Sequence, residues 1–131
     1  MDQKTFNELY AEHLKYLDNF RTGTLMKISY DCFENSDFIN LDLRGMVCYD
    51  TSFVNCNFTD VSLDFAQMEY NRFVNCTFTK TQFWRTNLAD AEFRRCVFSD
   101  DVTFFKTIMI NADFKECKIP HFGCGVCIAE A

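Results

Sequence analysis

The chain has 131 residues and a mass of 15.4 kDa, the size of one domain, and residues 1–131 are read as a single unit. Its 48% hydrophobic and 24% charged residues exclude wholesale disorder and a coiled coil, and a net charge of −6 disfavours direct contact with nucleic acid or an anionic membrane surface. With 16 Phe against 4 Gly and 1 Pro, the chain needs turns that do not depend on Gly or Pro, which points to a repeat.

Residues 1–24 are predicted to form an amphipathic helix. Thr5-Phe6-Asn7-Glu8 has the form of a capping box, Phe6, Leu9, Tyr10, His13, Leu14, Leu17 and Phe20 fall at helical spacing, and Gly23 suits a C-terminal cap. The stretch lacks the apolar run of a signal peptide, and nowhere do about eighteen apolar residues occur together, so a cytoplasmic protein without a membrane segment is expected.

From residue 28 to 119 the sequence repeats. An offset of 20 aligns Phe33-Glu-Asn-Ser-Asp-Phe38 with Phe53-Val-Asn-Cys-Asn-Phe58, Phe73-Val-Asn-Cys-Thr-Phe78 and Phe93-Arg-Arg-Cys-Val-Phe98. Phe114-Lys-Glu-Cys-Lys-Ile119 follows one residue late, after an insertion around Ser99-Asp100-Asp101. Within this runs a period of five, with a large apolar residue at Phe33, Phe38, Leu43, Cys48 and onward, and a small residue two places earlier, such as Cys56, Ala66, Cys76 or Thr86. Five matches neither the 3.6 of a helix nor the 2.0 of a strand. If each five-residue unit makes one side and a corner, four units close a square coil, and coils stack at about 4.8 Å. The large and small residues then point to the axis.

The small-polar-large pattern of Ala91-Glu92-Phe93, Ala112-Asp113-Phe114 and Thr86-Asn87-Leu88 resembles the pentapeptide-repeat proteins. The resemblance implies an all-β solenoid, a right-handed quadrilateral β-helix of four to five coils, here with an N-terminal amphipathic capping helix. Asp31, Leu41, Met46 and Asn71 depart from the pattern, and local irregularity is expected at each. The family has no single activity; some members resemble DNA in shape and charge and act on DNA gyrase.

Residues 120–131 follow the last coil. Pro120 ends it, and the apolar Phe122, Val126 and Ile128 are expected to cover the open end or to form a homodimer contact. His121, Cys124 and Cys127 have the spacing of three metal ligands but lack a fourth, so no metal is assigned. Cys56, Cys76, Cys96 and Cys117 form an inward column of free thiols, at positions that want a small apolar group. No phosphate loop or nucleophile elbow is present, and the expectation is a protein that is not an enzyme and uses no cofactor.

Two outward features bear on function. Between Ile28 and Tyr70 stand eight acids against one base, Arg44, whereas Asn71 to Phe98 carries five bases against Asp90 and Glu92. One charge per roughly 1.4 Å of rod in the acidic half compares with one per about 1.7 Å in duplex DNA. On this reading Asp42, Asp50, Asp60, Asp64 and Glu69 stand in for phosphates, and the chain is an inhibitor or decoy for a DNA-handling protein such as a topoisomerase or nuclease. The alternative is a general protein-interaction module. Phe65, Trp84 and Phe105 fall outward on one side in consecutive coils, with Tyr70 round the corner and Arg85 and Asp64 beside them. Asn35, Asn55 and Asn75 align as a corner ladder.

Overall fold

The structure is a computed structural model that describes residues 1–119. Phe122, Val126 and Ile128, and with them His121, Cys124 and Cys127, lie outside the described residues. One helix, Gln3–Asp18, precedes a β-solenoid of four coils and part of a fifth. Among the described residues no helix is long and apolar enough to cross a membrane.

The helix begins one turn earlier than the capping box indicates. Asp2 is the N-cap, its carboxylate accepting from the Thr5 N–H at 2.8 Å, so Thr5 is a residue being capped. The helix ends at Asn19, and Gly23 has a different task. At Gly23 (φ +66°) the chain doubles back against the helix, and a Cβ there would lie 2.3 Å from the Glu12 carbonyl oxygen. The apolar stripe is also shorter than its sequence spacing: Phe6 and His13 are buried, whereas Leu14 and Phe20 (70% exposed) face outward.

This helix closes the open end of the first coil. The Phe6 ring meets Phe33 and Phe38 edge-on at centroid distances of 6.1 and 5.6 Å. Two strand-edge N–H groups with no preceding coil to pair with find side chains of the helix instead. Asp42 N–H donates to Tyr10 Oη at 2.9 Å, and Met26 N–H donates to His13 Nδ1 at 3.0 Å.

Each coil has four sides, marked by inward residues such as Phe53, Phe58, Leu63 and Met68. The sides differ in regularity. Cys32–Glu34, Ser52–Val54, Arg72–Val74, Glu92–Arg94 and Asp113–Lys115 form a five-stranded parallel sheet, and Asp37–Ile39, Asn57–Thr59, Thr77–Thr79 and Val97–Phe98 form a four-stranded one. The side through Leu43, Leu63, Phe83 and Phe104 pairs only by isolated bridges, Asp42 with Ser62, Ser62 with Gln82, and Gln82 with Thr103. The fourth side starts with a two-stranded pair, Lys27–Ser29 with Val47–Tyr49, and continues by bridges.

Two columns of stacked rings run through the core, beside the Leu, Met and Phe side chains of the other two sides. Phe33, Phe53, Phe73, Phe93 and Phe114 stack at 5.2, 5.0, 4.8 and 4.5 Å, each pair nearly parallel. Phe38, Phe58, Phe78 and Phe98 form the second column at 4.9, 4.9 and 4.6 Å. Across the corner the columns meet at steep angles, as between Phe53 and Phe58 at 5.5 Å and 65°. Burial of each such ring stabilises the fold by roughly 1.5–3 kcal/mol.

The small position is more than small. Cys56, Cys76 and Cys96 each direct Sγ at the carbonyl oxygen of the inward Phe one coil back (Phe33, Phe53, Phe73), at 3.4, 3.2 and 3.4 Å. Thr81 and Thr86 donate in the same way to Phe58 and Leu63. Asn71, expected to disturb the coil, fits the scheme: its amide donates to Cys48 O at 3.0 Å and accepts from Thr51 N–H at 3.1 Å. Nor do Asp31, Leu41 and Met46 break the coil. The bridge from Asp42 and the strand pairing from Val47 continue through that stretch, Met46 is buried, and Asp31 accepts from Cys32 N–H.

Apart from the insertion around Ser99-Asp100-Asp101, the corner residues from Tyr30 to Glu116 have positive φ. Asn35, Asn40, Asn55 and Asn75 lie at 54–55°, a region that Asn tolerates better than most residues. Asn55 Nδ2 reaches Asn35 Oδ1 at 3.2 Å, while Asn75 Oδ1 accepts from Arg95 Nε at 3.0 Å, so the corner ladder changes partners at its end. At the insertion, Asp101 supplies the missing acceptor: Lys80 N–H, whose counterparts donate to a carbonyl of the next coil, donates to Asp101 Oδ1 at 3.1 Å.

Candidate partner-binding surface

Outward side chains one coil apart are neighbours, and the bridge register places Asp64, Trp84 and Phe105 in one column. The adjoining corner column holds Phe65, Arg85 and Lys106. Phe65 meets Trp84 edge-on at 5.3 Å, and Trp84 meets Phe105 at 6.1 Å, so the three aromatics form one strip. Phe65, Trp84 and Phe105 are 49%, 38% and 37% exposed. Arg85 lies over Trp84 at 5.6 Å and Lys106 over Phe105 at 5.4 Å. Lys106, which the sequence pattern does not mark as a partner of the aromatics, joins Arg85 because it follows Phe105 at the same corner. Tyr70 is exposed at a different corner and makes no ring contact with the strip among the described residues.

Phe65 (φ 63°), Tyr70 (φ 61°) and Tyr30 (φ 54°) hold conformations that the other corners give to Asn, Asp, Gly or long flexible side chains. The left-handed region costs a residue with a Cβ roughly 1–2 kcal/mol.

The five acids are not equivalent. Asp64 is only 9% exposed, which corrects its reading as an outward charge. Its Oδ1 accepts from the Trp84 N–H at 2.9 Å, and burial pushes its carboxyl above the ordinary value. Asp42 is bound by Arg44 through two contacts of 2.8 Å, which hold its carboxyl low. Glu69 Oε1 accepts from Asn87 Nδ2 at 3.0 Å. Asp50 and Asp60 are exposed corner residues and form no ion pair among the described residues. The structure thus leaves two of the five acids both exposed and unpaired, and they occupy different corners. A groove of about 420 Å³ beside Asp60 is lined by Asn40, Asp42, Arg44, Ser62, Lys80 and Gln82.

Among the described residues no group of His, Cys, Asp and Glu could hold a metal ion. The cysteines there are free thiols. Burial pushes the Cys48 thiol up to about 11, and Cys76, flanked by the Cys56 and Cys96 thiols and buried, is also pushed up. Such thiols are poor nucleophiles at neutral pH.

This is the surface of a repeat protein whose interior is filled by inward side chains. A family model of pentapeptide repeats matches eight copies over residues 36–70 and 72–100. The chain belongs to the pentapeptide-repeat family. Among solved structures it is similar to the pentapeptide repeat protein Rfr23 from the cyanobacterium Cyanothece 51142, over 92% of this chain and 95% of that one, with a TM-score of 0.57 and 9% identity. That likeness shows the shared fold. QnrB1, a plasmid-mediated fluoroquinolone resistance protein, matches at 17% identity over 72% of this chain and 70% of its own, with a TM-score of 0.25. HetL, involved in heterocyst differentiation regulation in the cyanobacterium Nostoc, matches at 12% identity over 82% and 58%, also with a TM-score of 0.25. Neither of these two carries an argument about this chain. No curated protein sequence matches it significantly.

Proposed function

We propose that this chain is a non-enzymatic binding protein that docks a protein partner on the strip Phe65, Trp84 and Phe105. The observation that carries the reading is Phe65: half exposed and held at positive φ like Tyr30 and Tyr70, it is the one of these three that meets another exposed ring among the described residues, Trp84 at 5.3 Å. Strain and exposure together at one residue are typical of sites kept for contact rather than stability. Aromatic anchors of this kind carry most of the energy at protein interfaces. The reading assigns the chain no catalytic step and no cofactor.

A second reading, the acidic decoy for a DNA-handling protein, draws on Asp50 and Asp60 with their exposed, unpaired carboxylates. The two readings differ in salt response. Capture of proteins from a bacterial lysate at low and high salt separates them. Partners retained at high salt and lost with Trp84→Ala support the aromatic strip; partners lost with salt and with Asp50→Asn plus Asp60→Asn support the decoy.

A further inference from the structure

Arg85 and Lys106 are neighbours in one corner column, about 4.8 Å apart along the stack. Neither forms an ion pair among the described residues. Like charges side by side on paired segments are unfavourable. The corner conformation does not demand them, since Asp, Asn and Glu occupy equivalent corners at Asp60, Asn75 and Glu116. Each cation rests on a ring of the strip, Arg85 on Trp84 and Lys106 on Phe105, beside an exposed apolar surface; Arg85 is exposed and Lys106 half-buried. The one carboxylate in the strip, Asp64, is buried and already accepts the Trp84 N–H.

From this arrangement we infer that the strip takes an acidic-apolar peptide segment, with one or two carboxylates seated on Arg85 and Lys106 and an adjacent large apolar side chain laid on Trp84 and Phe105. The inference rests on the aromatic strip being the docking surface and adds the partner's chemistry. A single carboxylate can lie between two cations at this spacing, and it relieves their mutual repulsion. A polyanion such as single-stranded nucleic acid would also find stacked rings and cations here. It extends beyond them, however, onto a chain of net charge −6, whereas a short peptide meets only the two cations.

Trp84 is the sole tryptophan of the chain, so its emission reports the strip directly. The test titrates the full chain with a capped peptide of alternating Glu and Leu, with its Lys–Leu counterpart, and with oligothymidylate. The expected result is a saturable change in Trp84 emission with the Glu–Leu peptide alone. Arg85→Glu with Lys106→Glu then weakens that peptide about tenfold or more and admits the Lys–Leu peptide. Glu116 already holds the same corner conformation, and circular dichroism checks that the reversed chain is folded. No saturable response to the Glu–Leu peptide, or an equal response to oligothymidylate, overturns the inference. Equal binding of both peptides, unchanged by charge reversal, also overturns it while leaving the aromatic docking surface intact. If that surface is itself wrong, Glu–Leu binding persists with Phe65→Ala and Phe105→Ala.

Discussion

The carboxylate of Asp64 holds the backbone of Trp84, one coil away, through a 2.9 Å hydrogen bond from its N–H. A residue that reads as a surface charge therefore supports the exposed aromatic above it. Its carboxyl is raised above the ordinary 3.8, chiefly by burial. As pH falls, the folded chain takes up that proton before the unfolded chain does. Stability attributable to this group therefore declines as pH rises from about 4 through the folded-state value. Asp64→Asn keeps an acceptor without the charge, and it should leave urea stability at pH 7 unchanged or higher while flattening that slope. Asp64→Leu, which strands the Trp84 N–H, should cost about 1–3 kcal/mol.

His13 gives the opposite dependence. Its Nδ1 accepts from Met26 N–H, so the neutral ring docks the helix, and burial lowers its pKa below 6.5, with Asp42 opposing and Arg44 assisting. The unfolded chain here takes up the proton first. Burial being the dominant cause, the stabilisation is full above about pH 6.5 and is lost as pH falls through the folded-state value. Thermal melts between pH 7 and pH 5 should show a fall in midpoint that His13→Gln reduces; an identical fall in the variant would contradict this role.

At the small positions, hydrogen bonding ranks the substitutions. Cys76→Thr, the residue found at Thr81 and Thr86, should preserve the bond to Phe53 O and stay within about 1 kcal/mol of the parent in urea. Cys76→Ala loses both the bond and the volume of the thiol, and should be the less stable of the two. Equal stability of the two variants would mean that neither the bond nor the volume of the thiol contributes.

The ring columns should dominate stability. Phe73 is fully buried between Phe53 and Phe93, so Phe73→Ala should cost about 3–5 kcal/mol. Phe65→Asn exchanges an edge contact with Trp84 for relief of a left-handed aromatic, two terms of about 1 kcal/mol each that offset. Denaturant melts of the two variants should therefore differ by several-fold in free-energy loss.

Much of this architecture is legible in the sequence because one period governs both burial and turn. Phe33 through Phe104 lie inward as the five-residue spacing requires, and the insertion before Val102 shifts the register by one residue as its alignment indicates. What the sequence hides depends on neighbours a whole coil away. Asp64 is buried because Trp84 and Phe65 flank it, and Asn71 is accommodated because Cys48 O and Thr51 N–H await its amide. The helix starts earlier than the capping box for a local reason: Asp2, three residues before Thr5, also has a side chain suited to an N-cap and takes that role. Leu14 and Phe20 share the periodicity of Phe6 but remain exposed, which periodicity alone does not reveal.

On the proposed reading the exposed aromatic strip, rather than the acidic coils, carries partner binding. The most direct measurement is quantitative capture from a bacterial lysate by the parent chain, Phe65→Asn, and Asp50→Asn with Asp60→Asn, each verified as folded, with bound proteins identified by mass spectrometry. Phe65→Asn should lose the specific partner while the doubly neutralised chain keeps it. Retention by Phe65→Asn together with loss from the neutralised chain would contradict that reading.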